Sequence, residues 1–330
     1  MPIILDLSLQ TSPEIIQDLL VKQLQCDPYN PVKHIEKAGE GNMNLVLRIH
    51  RQDGSTCILK QAKPYVNKYP SIPAPLNRIE AEYQYYQAIQ HVDEIRKHMP
   101  TCVAYIPEHH VLILEDLGPG SDYTYLYKLG RAANFPGVSA IEYLSHLHQL
   151  PTPEAYPDNT QLRLLNAEHL FEYPYRPNEG FDLDHIQPGL QDLAEPFYHS
   201  SQLKETVLAL KKSYLSEGYQ LIHGDYYPGS WLDSKNGFKV IDPEFSFIGH
   251  AEYDLGVMLG HCKLARVPDD GIRTLLKEYD YPTTFDQDYM WQISGMEIVR
   301  RLIGLAQLPL DLTLDEKKIL LGWSLKKMML

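Results

Sequence analysis

Two apolar, β-prone runs, NLVLRI (44–49) and TCILK (56–60), stand close together early in this 330-residue chain. The residues between them include Asp53-Gly54, a pair that tolerates the positive φ of a tight turn, so the runs are expected to pair as an antiparallel hairpin. CVAYI (102–106) and VLILE (111–115) repeat the pattern and predict a second hairpin. Between the hairpins lie a Pro-rich loop, YPSIPAPLN, and the stretch RIEAEYQYYQAIQHVDEIRKH, whose spacing and helix-forming residues predict one long helix. The first third therefore reads strand, strand, helix, strand, strand. LGPGS at 117–121 breaks this pattern and marks a hinge, so the expected lobes are residues 1–117 and 118–330. The second is mainly helical, most clearly at 139–149 and 191–217, with Pro- and Asp-rich loops at 150–160 and 173–189. Short strands at 220–223 and 238–241 are expected to form a small ribbon around the turn DSKNG.

Composition narrows the function classes. With 44% hydrophobic and 22% charged residues the chain is ordinary globular protein, and it has no apolar run near the ~18 residues of a membrane span. Its first residues, MPIILDLSLQTSPEIIQDLL, show no basic region ahead of an apolar one, so neither a signal nor a transit peptide is expected and the cytoplasm is the expected location. Cys26, Cys57, Cys102 and Cys262 lie far apart with no CxxC pair, which disfavours a zinc site or a disulfide framework. A net charge of −13 disfavours nucleic acid and anionic membranes as partners, since both need a basic surface, and any nucleotide is expected to arrive with Mg²⁺. No motif decides oligomeric state, and a homodimer is left open.

The polar residues worth chemistry cluster in LIHGDYYPGSWL (221–232) and IDPEF (241–245). A carboxylate on a loop leaving an apolar run, beside a small residue, is what phosphoryl transfer needs to orient a substrate hydroxyl, and Asp225 answers that description. Gly224 permits an unusual turn or a close approach. His223 is expected to hold the loop through neighbouring backbone groups rather than to act in the chemistry. Pro243 favours an extended residue before it, so Asp242 and Glu244 are expected to project to one side as an oxygen-rich pair suited to Mg²⁺.

HGD(x)₄S followed by IDPE and AEYDLG resembles the kinase-like small-molecule phosphotransferases: aminoglycoside phosphotransferases, choline kinases and methylthioribose kinases. The resemblance spans nearly the whole chain. It implies an α+β, two-lobed protein-kinase-like fold, with an N-terminal five-stranded antiparallel sheet, one long helix and a mainly helical C-terminal lobe. It also implies ATP and Mg²⁺ as cofactors, Asp225 as the catalytic residue, Asp242 and Glu244 as metal ligands, and Asp254 as the residue that steadies the catalytic loop. The family commonly has Asn five residues after the catalytic Asp, and this chain has Ser230. A hydroxyl is shorter and a weaker ligand, so either Glu244 supplies the missing oxygen or one metal alone binds tightly. Ser with DPE is the combination found in methylthioribose kinases.

AGEGNMNLVL offers Gly39 and Gly41 to cover phosphates, with Asn44 in the same stretch, although it lacks the full GxGxxG pattern and reads equally as a plain turn. ILK places Lys60 where kinases carry the phosphate-binding lysine, and Glu80 in RIEAE is on the helix that would supply its partner, with Glu82 the competing choice. LILEDLG resembles the segment that contacts adenine, through backbone groups of Glu115 and Leu117. In GMEIVRRLIGLAQ, the adjacent Arg300 and Arg301 resemble the arginine pair with which methylthioribose kinases contact their sugar. Neighbouring helical residues diverge by about 100°, so at most one of the two is expected to follow the apolar side.

These readings converge on an ATP-dependent enzyme that phosphorylates a hydroxyl of a small molecule, a sugar such as methylthioribose or an amino alcohol or aminoglycoside. The rival is a weak or inactive kinase-like nucleotide-binding regulator, with Ser230 and the reduced glycine loop as signs of decay. A protein kinase is disfavoured by HGD in place of HRD and by the lack of DFG and APE.

Overall fold

A computed structural model describes residues 4–24, 27–39, 41–177 and 181–330; Cys26 and part of the 173–189 loop lie outside them. The chain packs as two compact units, Met1–Gly120 with Ser234–Phe245, and Ser121–Asp233 with Ser246–Leu330.

The first unit is built on the expected five-stranded antiparallel sheet, in the order Val32–Lys37, Leu45–Arg51, Thr56–Gln61, Val111–Glu115, Cys102–Ile106. Both hairpins form where the apolar, β-prone runs placed them. The edge strand VKHIEK, with two apolar residues, left little signal, and the helix Pro13–Leu24 before it went unread although Ile16, Leu19 and Leu20 stand at helical spacing. Ile16, Leu19 and Leu20 of that helix bury Leu47, Ile49, Leu59 and Ile113 on one face of the sheet. Since a strand alternates its faces, Lys60 next to Leu59 must point the other way.

The expected long helix is shorter. It runs Arg78–Ile89, breaks at the extended Val92, and leaves a single further turn, Asp93–Arg96. The Pro-rich loop before it carries a small hairpin, Tyr65–Val66 with Tyr69–Pro73.

The second unit is helical. The segment 191–217, expected as one helix, is two, Leu190–His199 and Ser201–Leu215, because extended Ser200 caps the second by accepting from Leu203 N–H. The helix Gln287–Ile303 packs between Ala251–Leu264 and Leu314–Met328. The expected ribbon of 220–223 with 238–241 does not form. Strand Gln220–Ile222 pairs with Phe247–Gly249, while Val240 at the end of Gly237–Val240 donates its N–H to His98 O at 2.7 Å within the first unit. Among the described residues no helix is long and apolar enough to cross a membrane.

Candidate active site

In the first unit a buried charge cluster surrounds Lys60. Its ammonium lies 2.6 Å from Glu82 Oε2 and 2.9 Å from Asp242 Oδ1. The lysine's partner is thus Glu82 and not Glu80: Ile79, Glu82, Tyr86 and Ile89 share the inward face of their helix at three- and four-residue spacing, and Glu80 is exposed. Burial pushes the Glu82 carboxyl up to about 7 against the pull of Lys60. Burial alone would lower the lysine's pKa, but Asp242, Glu82 and Glu244 outweigh it and hold the ammonium protonated.

Asp242 departs from expectation. Its φ is 62°, left-handed rather than extended, and Pro243–Phe245 is a turn of 3₁₀ helix. Such a φ costs a non-glycine residue about 1–3 kcal/mol, a strain that marks functional sites when the surroundings enforce it, here through Lys60. One consequence is that the two carboxylates do not share a setting: the Asp242 side chain is 48% exposed and that of Glu244 only 7%. Glu244 Oε2 accepts from Asn44 Nδ2 at 2.8 Å and lies 3.3 Å from Arg78 Nε, and burial pushes its carboxyl up despite Lys60 and Arg78. Asn44 itself is buried, with Oδ1 accepting from Arg78 Nε at 2.9 Å, so its side chain braces the cluster instead of reaching outward.

Arg78 is the residue sequence reasoning missed here. It is fully buried and also donates to the carbonyls of Met43, Lys63 and Pro75, tying the glycine turn to the helix. A cation in the first turn of a helix opposes the helix dipole, and that mismatch was the available signal.

Of the turn glycines, Gly41 is constrained: its φ is 29° and a Cβ would stand 2.7 Å from Asn44 O, whereas Gly39 has open space around it. The Glu115 N–H is committed to Thr101 O at 2.8 Å, and its carboxylate accepts from the Thr101 hydroxyl. Leu117 is buried just beyond.

Does this cluster fit Mg²⁺? With all three carboxylates ionised, the two cations Lys60 and Arg78 leave one negative charge for a further cation to balance, and Glu82, pushed up to about 7, gives its full charge only above neutral pH. Mg²⁺ keeps several waters and is commonly held by one or two carboxylates together with substrate phosphates, so half-exposed Asp242 fits as a ligand. Glu244 could join it only by sharing its carboxylate with Asn44 and Arg78. Among the described residues no group of three or more His, Cys, Asp and Glu stands in metal-ligating geometry.

In the second unit the HGD loop is held from below. Asp254, fully buried at the start of its helix, accepts from His223 N–H at 2.6 Å and Gly224 N–H at 2.9 Å, and His148 Nε2 lies 3.3 Å away. Two backbone bonds to one carboxylate fix the turn that Gly224 makes at φ 81°. The Asp225 N–H approaches His223 Nδ1 at 3.4 Å, so the histidine braces the loop. Ser230 is buried, and its hydroxyl donates to the Asp225 carbonyl at 2.8 Å, closing the loop on itself.

Both Arg300 and Arg301 are buried, against the expectation that at most one would be. From Ile293 to Ile303 every residue of their helix is buried, so that part has no solvent face to give one of them to. Glu297, fully buried one turn earlier, binds both: Arg301 Nε at 2.6 Å on Oε1 and Arg300 Nη1 at 3.1 Å on Oε2. Burial raises the Glu297 carboxyl, but the two guanidiniums and His261 outweigh it and hold it well below the carboxylate range. Arg301 lies over the Tyr227 ring at 4.7 Å, and its Nη2 stands 3.8 Å from Asp225 Oδ1. The i+3 and i+4 spacing of Glu297 to the arginines was legible in GMEIVRR; its contact with His261 was not.

The chain superposes over 96% of its length on 98% of a choline kinase from Streptococcus pneumoniae, with a TM-score of 0.54 at 12% identity, so the fold is that of the kinase-like phosphotransferases. The profile described as "Phosphotransferase enzyme family" matches residues 34–283, and the chain belongs to that family. Among its sequence relatives are a methylthioribose kinase of Pectobacterium atrosepticum, 32% identical over 246 residues (69% of this chain and 59% of that protein), and methylthioribose kinase 2 of rice, Oryza sativa subsp. japonica, 26% identical over 257 residues (72% and 58%). The chain thus spans less than two thirds of the length of these relatives.

Proposed function

We propose that this protein is an ATP- and Mg²⁺-dependent kinase that phosphorylates a hydroxyl of a small neutral polyol, a methylthioribose-like sugar. The observation that carries the reading is the Asp225 carboxylate with a buried guanidinium, Arg301, 3.8 Å away. Asp225 orients the acceptor hydroxyl and takes up its proton, and Arg301 with Arg300 offers N–H donors to the other oxygens of the acceptor. Guanidinium N–H donors suit the oxygens of a sugar better than the ammonium group of choline or an aminoglycoside, which accepts no hydrogen bond. The methylthioribose kinases among the relatives support the same choice.

In the first unit, Lys60 binds the nucleotide phosphates and Asp242 holds Mg²⁺, with Glu244 a second ligand only where it shares its carboxylate with Asn44 and Arg78. Gly39 and Gly41 cover the phosphates, and the Glu115 carbonyl and the Leu117 backbone meet adenine. Mg²⁺, when bound, neutralises charge on the phosphoryl group in transfer. Ser230 holds the shape of the catalytic loop.

The test is transfer from Mg-ATP to a panel of methylthioribose, ribose, choline, homoserine and kanamycin, with Asp225→Asn as control. Phosphorylated methylthioribose or ribose is expected, with Asp225→Asn reduced by at least about 10²-fold, the scale of a lost acid–base group. Turnover of choline or kanamycin alone would overturn the neutral-acceptor reading. An Asp225→Asn variant as active as wild type would overturn the assigned role.

A further inference from the structure

A fully buried carboxylate costs free energy unless every partner is fixed, and Glu297 has its partners fixed on three sides. Besides the two arginines, His261 Nε2 lies 2.9 Å from Oε1, and the other ring nitrogen, Nδ1, lies 2.7 Å from Tyr127 OH. A carboxylate only accepts, so Nε2 carries the proton, Nδ1 accepts, and the Tyr127 hydroxyl donates. Burial keeps the imidazole neutral, with its pKa lowered to about 4. The chain Tyr127, His261, Glu297 thus ends on the guanidinium nearest Asp225.

Arg301 has five N–H donors. Its Nε is taken by Glu297 and its Nη1 by the Ala306 carbonyl at 3.3 Å, and among the described residues no hydrogen bond ends on Nη2. At 3.8 Å, Nη2 is close enough to Asp225 for attraction and too far for a hydrogen bond. Charge on this spot balances, two arginines against Glu297 and Asp225. If the Glu297 charge were lost, Asp225 would become the nearest remaining carboxylate to Arg301, at 3.8 Å, and the guanidinium would be drawn onto it as a forked pair.

We propose that Glu297 is the positioning residue of the acceptor site: by holding the Nε edge of Arg301, it keeps the guanidinium from closing on Asp225 and reserves Nη2 for an oxygen of the acceptor. The inference rests on the reading of Asp225 as the residue that orients the acceptor hydroxyl. Glu297 acts through Arg301 and touches no substrate.

Crystal structures of wild type and Glu297→Gln supply a readout independent of activity. In the variant, Arg301 is expected within about 3 Å of Asp225, hydrogen-bond distance; an Arg301 unmoved from its wild-type place overturns the proposal even if the chain proves to phosphorylate nothing. Steady-state kinetics on the panel supply the second. Glu297→Gln is expected to lower kcat on the order of 10²-fold, the cost of misplacing a reacting group by about 1 Å, with KM for ATP unchanged. The double variant Glu297→Gln/Arg301→Gln is expected to be no worse than Arg301→Gln alone, because the first residue works through the second. Additive losses, or a Glu297→Gln kcat equal to wild type, overturn it. Should Glu297→Gln fail to fold, Glu297→Asp carries the test, since it keeps the charge but draws the carboxylate back by one methylene. A smaller kcat loss that vanishes in the Arg301→Gln background supports the proposal, and wild-type kcat overturns it. A wild type inactive on every acceptor, with Arg301 closed on Asp225 in Glu297→Gln, would count against the kinase reading alone.

Discussion

Lys60 illustrates how one side chain acquires a role from its surroundings. It is buried, yet three carboxylates keep it charged, and Glu82 in turn is pushed up to about 7 by that burial. The sign of the pH effect follows. A carboxyl whose folded pKa lies above its unfolded value binds its proton better when folded, so its contribution to stability is present below about pH 4.5 and is lost as pH rises through 7. At about 1.4 kcal/mol per unit the loss amounts to at most about 3–4 kcal/mol. We therefore expect Glu82→Gln to flatten the decline in the urea midpoint between pH 5 and 8, and the same decline in wild type and variant would refute the assignment. The variant should also lose transfer activity by about tenfold or more, as one charge-assisted bond to the lysine is weakened. Residue identity was readable here: Lys60, Asp225, Asp242 and Asp254 all stood in recognisable local patterns. The pairing of Lys60 with Glu82 was not, because both glutamates are on one helix and only its packed face separates them.

At the scale of elements, the helix Gln287–Ile303 carries the clearest lesson. Its pattern suggested an amphipathic helix with one arginine outside, but helices Ala251–Leu264 and Leu314–Met328 pack on it, Asn166 meets Arg300, Tyr227 meets Arg301, and both arginines are buried. That closeness depends on Gly256, where a Cβ would stand 2.7 Å from the carbonyl of Met290. Gly256→Ala is expected to destabilise by about 1–3 kcal/mol through overpacking, although alanine is the better helix former. Unchanged stability in a denaturant titration would contradict the close packing of the two helices. A second element-level expectation concerns Ser200, whose hydroxyl starts the helix Ser201–Leu215. Ser200→Ala should cost about 1 kcal/mol, read from the same titration. Helix breaks such as this one and the one at Val92 escaped the sequence because a single extended residue leaves little trace; the weaker helix formers beside them, His199 and Ser201, His91 and Asp93, were the available signal.

For the whole molecule, acid should be the weak side. His261, neutral in the fold with a pKa of about 4, is depressed below its ordinary 6.5, so the unfolded chain takes up that proton first and stability falls as pH drops from 6.5 to 4. Glu297 adds to this in the same direction, since a carboxyl held below its ordinary value stabilises above pH 4.5 and ceases to do so as pH falls. Glu82 opposes them over part of this range, so the variants must be read singly. His261→Asn is expected to reduce the steepness of the fall in urea midpoint between pH 6.5 and 4; an unaltered slope would show that His261 is not the group responsible. The two hairpins of the five-stranded sheet, the family, and the loop HGD with its following IDPE could all be read from the chain, because these depend on β-prone runs, turn chemistry and short-range spacing. Long-range packing was needed to show that Glu82 holds Lys60, that Asp242 turns left-handed and stands apart from buried Glu244, and that His261 meets Glu297. The physical reason is that a buried charge is tolerated only beside its counterions, and those counterions come from distant segments whose meeting no local pattern records.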